Sequence, residues 1–273
     1  MDHRAATRYK AYVRYRAIFL SDIHLAARAC RSCDLLSFLK SHDAPVIYLV
    51  GDVIDFWRLR RGPSWRPSQT GVVMELLAKA QNGTRIVYIP GNHDEDLRIL
   101  AGLTLGPLEI RLRAMYETAD GRRFLIIHGD EFDTVVNKAH WLAVIGDIGY
   151  DVAWAANEVL NAVRRSLGLS YWSLSAYLKY RVKRIVNYAV NFETSLVAEA
   201  RRVGASGVIC GHIHHASARV IEGIQYMNTG DWVDSGTAVV EHFDGRMEIV
   251  RWTDHLRALR SSASKAPVAP VTS

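Results

Sequence analysis

Seven side chains in five separate stretches of this 273-residue chain have the chemistry of metal ligands. They are Asp22 and His24 in "AIFLSDIH" (17–24), Asp52 in "VIYLVGDVID" (46–55), Asn92 in "RIVYIPGNHD" (85–94), His128 in "RFLIIHGD" (123–130), and His212 and His214 in "GVICGHIH" (207–214). Carboxylate, amide and imidazole without thiolate suit Mn2+, Fe or Zn2+, with coordination positions left open for water. Seven protein ligands are too many for one catalytic ion and the right number for two that share a carboxylate. Two such ions activate water and clamp a phosphoryl oxygen. In an extended strand, residues i and i+2 point the same way, so Asp22 and His24 are expected to grip one ion, and His212 and His214 to face the same site. His215 then points away and is read as structural. One D-x-H or G-D arises by chance in many chains; five such sets, in order, argue against coincidence.

Each set closes a run of four to six mostly β-branched or aromatic residues, the signature of a buried strand. Helix-like segments, "RSCDLLSFLKSH" and "QTGVVMELLAKAQ", separate the first three runs. The order β-α-β-α-β predicts an α/β fold with parallel pairing. In such sheets the ligand crevice lies beyond the carboxyl ends of the strands, so all five sets are expected at one edge.

At these residues the chain resembles the calcineurin-like metallophosphoesterase superfamily, whose pattern reads D-x-H, G-D, G-N-H-[DE], H and G-H-x-H. Here it stands as Asp22-Ile23-His24, Gly51-Asp52, Gly91-Asn92-His93-Asp94, His128 and Gly211-His212-Ile213-His214, and the resemblance covers 17–240. It implies a four-layer α/β/β/α sandwich with a helical lid insertion. It also implies Asp52 bridging two divalent ions, Mn2+ first with Fe or Zn2+ as alternatives. Asp22, His24 and His214 would sit on one ion, and Asn92, His128 and His212 on the other. His93 would act as an acid near the leaving group, oriented by Asp94. Within the superfamily the chain looks most like the UDP-2,3-diacylglucosamine diphosphatases of lipid A synthesis. "HGDEFD", a long insert before the last histidines, and "YMNTGDWVDSGTAVVE" carry that likeness. Those enzymes attack a nucleotide lipid and release UMP and diacylglucosamine 1-phosphate. The chain departs from them in having His93 where they have Arg. A histidine suits an alkoxide leaving group that needs a proton, whereas a sugar phosphate needs charge stabilisation more.

The remaining chain frames this site. Residues 1–16, with five Arg or Lys against one Asp, read as a basic tail, 17–255 as the metallophosphoesterase domain, and the small, polar, proline-bearing 256–273 as disordered. The insert at about 136–192 has no proline, an apolar stripe at helical spacing, and seven Lys or Arg against three Asp or Glu. It reads as helix-hairpin packing or as a lid whose apolar face receives acyl chains. Lys179, Lys183 and Arg184, with Arg58 in "WRLRRG", are candidates for substrate phosphate, although "WRLRRG" reads first as a solvated basic loop. The longest uncharged run there is 13 residues, too short to span a bilayer. Three cysteines, with Cys30 and Cys33 a lone C-x-x-C, read as reduced thiols in a cytoplasmic protein. A lipid substrate would place the protein peripherally on the cytoplasmic face of the inner membrane. Net charge of +6 favours an anionic phosphate partner. A nucleic-acid-binding module is not expected, because the basic residues are scattered and no binding motif is present. A metal-binding scaffold without catalysis is the other alternative, and the presence of Asn92 and His93 speaks against it.

Overall fold

The computed structural model describes residues 13–62, 64–132, 191–252 and 254. The strands are β1 (Val13–Arg14), β2 (Ala17–Leu20), β3 (His42–Asp43), β4 (Val46–Val50), β5 (Arg85–Ile89), β6 (Thr104–Leu105), β7 (Leu108–Ile110), β8 (Ala114–Glu117), β9 (Arg123–Ile126), β10 (Gly207–Cys210), β11 (Ser217–Ile221), β12 (Ile224–Asn228), β13 (Thr237–Glu241) and β14 (Met247–Arg251). The helices are α1 (Ser32–Ser41), α2 (Phe56–Arg61), α3 (Pro67–Gln81) and α4, described over 191–202.

Two sheets carry the site. One runs β14-β13-β2-β4-β5-β7-β6, the other β11-β12-β10-β9-β8. The pairs β2–β4, β4–β5 and β9–β10 are parallel, as the βαβ order requires. Side-chain alternation explains the layering. Ile18, Leu20, Ile47, Leu49 and Ile86 join Leu35 and Phe38 of α1 and Val72 of α3 in one core. Phe19, Tyr48, Val50, Val87 and Ile89 point the other way and meet Phe124, Ile126, Ile209 and Met227 of the second sheet. Strands buried on both faces carry continuous apolar runs, which is why the five runs lack period-two polarity.

The fold begins before Ala17, the expected start of the domain. β1 pairs with β3, and Tyr15 is buried, stacked on His42 and edge-on to His242. Arg16 donates to Glu241 at 2.8 Å and Tyr116 at 2.9 Å. Apolar and paired side chains, rather than the basic ones, decide that boundary. Residues 131–196 form a second compact unit. Most of the expected insert at 136–192, and the tails before Val13 and after Asp254, lie outside the described residues. Among the described residues no helix is long and apolar enough to cross a membrane.

Candidate metal centre

The candidate ligands sit beyond the strand ends, five of the seven on residues whose backbone is left-handed. β2 stops at Leu20 and β10 at Cys210. Asp22, His24, Asp52, His212 and His214 have φ of 49°, 51°, 53°, 74° and 56°. Each such residue costs on the order of 1–3 kcal/mol and persists only where its surroundings over-determine it. Asp22 and His24 therefore converge by a different route from the expected one. The segment is not extended, and two left-handed residues bring the side chains together. Backbone bonds fix the turn: the Asp22 and His24 amides donate to the carbonyls of Gly51 (3.0 Å) and Asp52 (2.9 Å).

Three groups of donor atoms result, each with its atoms within 4.8 Å of one another: Asp22, His24 and His214; His24, Asp52 and His93; and Asp52, His128 and His212. Asp52 is common to the second and third groups, and His24 to the first and second. Asp52 Oδ2 lies 3.5 Å from His128 Nε2, 3.9 Å from His24 Nε2 and 4.0 Å from His93 Nε2. His214 Nε2 lies 3.3 Å from Asp22 Oδ1 and 3.4 Å from His24 Nε2. His215 is exposed.

The supporting contacts aim the donors inward. His128 Nδ1 bonds the Val50 carbonyl at 2.8 Å, which leaves Nε2 for the site. Asp22 Oδ2 accepts from Ser21 Oγ and from the His212 amide, leaving Oδ1. Among the described residues Asp22 Oδ1, Asn92 Oδ1 and His128 Nε2 are buried atoms that make no hydrogen bond. Buried polar atoms without partners are costly, and these three converge with carboxylate and imidazole donors. The donor set therefore fits divalent ions. Gly51 and Gly91 permit the close approach: a Cβ on either would collide with the His128 ring, and one on Gly91 also with Asp52 Oδ1.

Electrostatics follow from burial and charge together. Burial opposes ionisation of Asp52, but the His128, His24 and His93 rings outweigh it and hold the carboxyl well below the ordinary range. Burial likewise works against protonation of His128 and His214. Asp52 raises the first to about 10, and Asp22 with Asp231 raises the second to about 9. The carboxylates thus draw positive charge into a buried pocket.

The expected partner of His93 is corrected. Asp94 lies under the site rather than beside that ring: its carboxylate accepts from the amides of Gly91 (2.6 Å), Val53 (2.8 Å) and Asp52 (3.3 Å) and from Tyr88 Oη (2.5 Å). It holds the 51–54 turn. The carboxylate facing His93 Nδ1, at 3.2 Å, is Asp55. Asp55 also faces His24 Nδ1 at 3.6 Å and caps α2 by accepting from the Arg58 amide at 2.8 Å. Burial opposes ionisation of Asp55, but the His24 and His93 rings and the Arg58 amide together outweigh it and hold the carboxyl well below the usual range. A second carboxylate, Asp231, backs His214 Nδ1 at 3.4 Å and accepts the amides of Val233, Asp234 and Ser235. Burial opposes its ionisation, yet these partners lower it to about 2. Asp55 was legible three residues after Asp52 as the end of "GDVID"; Asp231 had no local signal beyond an Asp after Gly.

"WRLRRG", read as a loop, begins inside α2, where Trp57 lies over His93 with ring centroids 4.0 Å apart. Arg58 is exposed on that helix. Lys179, Lys183 and Arg184 lie outside the described residues.

The family model described as calcineurin-like phosphoesterase matches residues 15–216. A protein from Neisseria meningitidis serogroup B named UDP-2,3-diacylglucosamine hydrolase is 28% identical over 232 residues, 79% of this chain and 89% of that protein. One of the same name from Aeromonas hydrophila is 34% identical over 123 residues, 41% of this chain; that match spans about half (47%) of the relative. A crystal structure of a dimetal phosphatase from Danio rerio aligns with TM-score 0.44 and 12% identity, covering 86% of this chain and 95% of that one. The family match takes in all five motifs, and the chain is a metal-dependent phosphohydrolase that belongs to the calcineurin-like phosphoesterase family.

Proposed function

We propose that the chain hydrolyses the pyrophosphate of UDP-2,3-diacylglucosamine, giving UMP and diacylglucosamine 1-phosphate. The observation that carries this reading is the likeness to the Neisseria hydrolase over 79% of the chain, whose name states that substrate. Donor groups that share Asp52 support the chemistry. Asp22, His24 and His214 are assigned to one divalent ion and Asn92, His128 and His212 to a second, with Asp52 common to both and Mn2+ the expected metal. Such ions supply Lewis acidity toward phosphoryl oxygen and water. The chain's own part is to orient and to move a proton. His93, held at Nδ1 by Asp55, presents Nε2 toward the Asp52 side of the site, where a leaving oxygen would collect its proton. Arg58 is assigned to substrate phosphate. From sequence alone, Lys179, Lys183 and Arg184 share that task, and the insert at about 136–192 takes the acyl chains. The protein would work peripherally on the cytoplasmic face of the inner membrane.

A second reading has one observation of its own. A histidine backed by a carboxylate is a proton donor suited to alkoxide leaving groups, which favours a general phosphodiesterase or phosphomonoesterase. Hydrolysis of UDP-2,3-diacylglucosamine in detergent micelles by the Mn2+-loaded protein, beside bis-p-nitrophenyl and p-nitrophenyl phosphate, separates the two. UMP release abolished by chelator supports the first reading; hydrolysis of the nitrophenyl esters alone supports the second.

A further inference from the structure

Burial alone does not hold His214. Its side chain is 30% exposed, against 8% for His24 and 1% for His128. His128 is fixed by its enclosure and by the Val50 carbonyl on Nδ1. A ring with one edge in solvent keeps one rotamer and one tautomer only where a partner imposes them. That partner is Asp231, which is buried and itself immobilised. Its Oδ1 accepts the amides of Val233 (3.0 Å), Asp234 (2.7 Å) and Ser235 (2.9 Å), which leaves Oδ2 to face His214 Nδ1 at 3.4 Å. A carboxylate there keeps the proton on Nδ1 and the lone pair on Nε2, the atom 3.3 Å from Asp22 Oδ1.

The same turn holds Asp22. The Trp232 amide donates to the Asp22 carbonyl at 3.0 Å, and Ser21, whose hydroxyl bonds Asp22 Oδ2, meets the Thr229 hydroxyl. Residues 229–235 thus brace two ligands assigned to one ion, whereas His128, assigned to the other, is braced from β4. We infer that Asp231 is a positioning residue for His214, and that the turn it organises sets the affinity of the Asp22, His24 and His214 ion separately from that of its neighbour. The inference rests on the two-ion assignment of the proposed function.

Calorimetric titration of the chelator-stripped full chain with Mn2+ tests it. Wild type is expected to take two ions. Asp231→Asn keeps an oxygen for the three amides but turns an NH2 toward His214 Nδ1, which favours the tautomer with its proton on Nε2. One ion should then bind roughly 10–100-fold more weakly, while the other keeps its wild-type Kd. The metal-free variant should still melt cooperatively, and Asp231→Asn should add no further loss in a His214→Ala background. Asp234→Asn, which removes an exposed carboxylate from the same turn, should bind both ions like wild type. Two ions at wild-type affinity in Asp231→Asn, or both weakened equally, would overturn the proposal. Should that variant fail to fold, Ser21→Ala, which strips Asp22 Oδ2 of its hydroxyl partner, is expected to weaken one ion alone, and an unaltered titration would overturn the proposal. Fewer than two ions in wild type would overturn the two-ion assignment itself, before any variant is compared.

Discussion

At the scale of single residues, the roles of two aspartates distinguish orientation from coordination. Asp55 faces Nδ1 of both His93 and His24 and is assigned no ion. His93→Ala should lower turnover of alkoxide esters by about 10²–10⁴-fold while metal content stays at the wild-type level. Equal losses on alkoxide and anhydride substrates would show His93 binding charge instead. Asp55→Asn should cost roughly 10–100-fold alone and far less in a His93→Ala background, which a double-mutant cycle on kcat reads directly. Thiol chemistry tests burial. Cys30 is buried, and burial raises its thiol to about 11, so at pH 8 it is protonated and unreactive. Cys33 is exposed. Iodoacetamide at pH 8 should therefore label Cys33 and spare Cys30 and Cys210 in the native protein, as peptide mass spectrometry would record.

At the scale of elements, the strands deliver the ligands and the turns beyond them aim them. Gly91 sits where a Cβ would strike Asp52 and His128. Gly91→Ala is expected to destabilise by about 1–3 kcal/mol and to lose metal, measured by thermal melting and metal analysis. The apolar runs and their order made β2, β4, β5, β9 and β10 legible, because strands buried on both faces must be apolar throughout. Helices α1 and α3 were legible from their periodicity. The left-handed turns at Asp22, His24, Asp52, His212 and His214 were not, since backbone sign is set by tertiary bonds such as Asp22 to Gly51 rather than by the residues themselves. The same limit hid α2. "WRLRRG" reads as basic and polar, and only the cap from Asp55 and the packing of Trp57 on His93 make it a helix that serves the site. Asp94 was misassigned because adjacency in sequence says nothing of which way a carboxylate turns.

At the scale of the whole molecule, carboxylates and imidazoles gather beyond the strand ends, while the cores behind them are otherwise apolar. Each divalent ion that binds only the folded chain stabilises it by about 2.7 kcal/mol at a hundredfold excess over Kd. For a chain of this size that shifts Tm by roughly 5–11 °C per ion. Chelation should lower Tm by at least that amount, and Mn2+ should restore it; an unchanged Tm would mean that the site holds no ion under those conditions. We propose that Asp52 joins two ions in one phosphohydrolase site. Metal counting and bis-p-nitrophenyl phosphate turnover in the same Mn2+-reconstituted samples of wild type and Asp52→Ala test it most directly. Two ions per wild-type chain, with metal and activity lost together in a variant that still melts cooperatively, is the predicted result. Near-full activity in a metal-counted Asp52→Ala sample would contradict it.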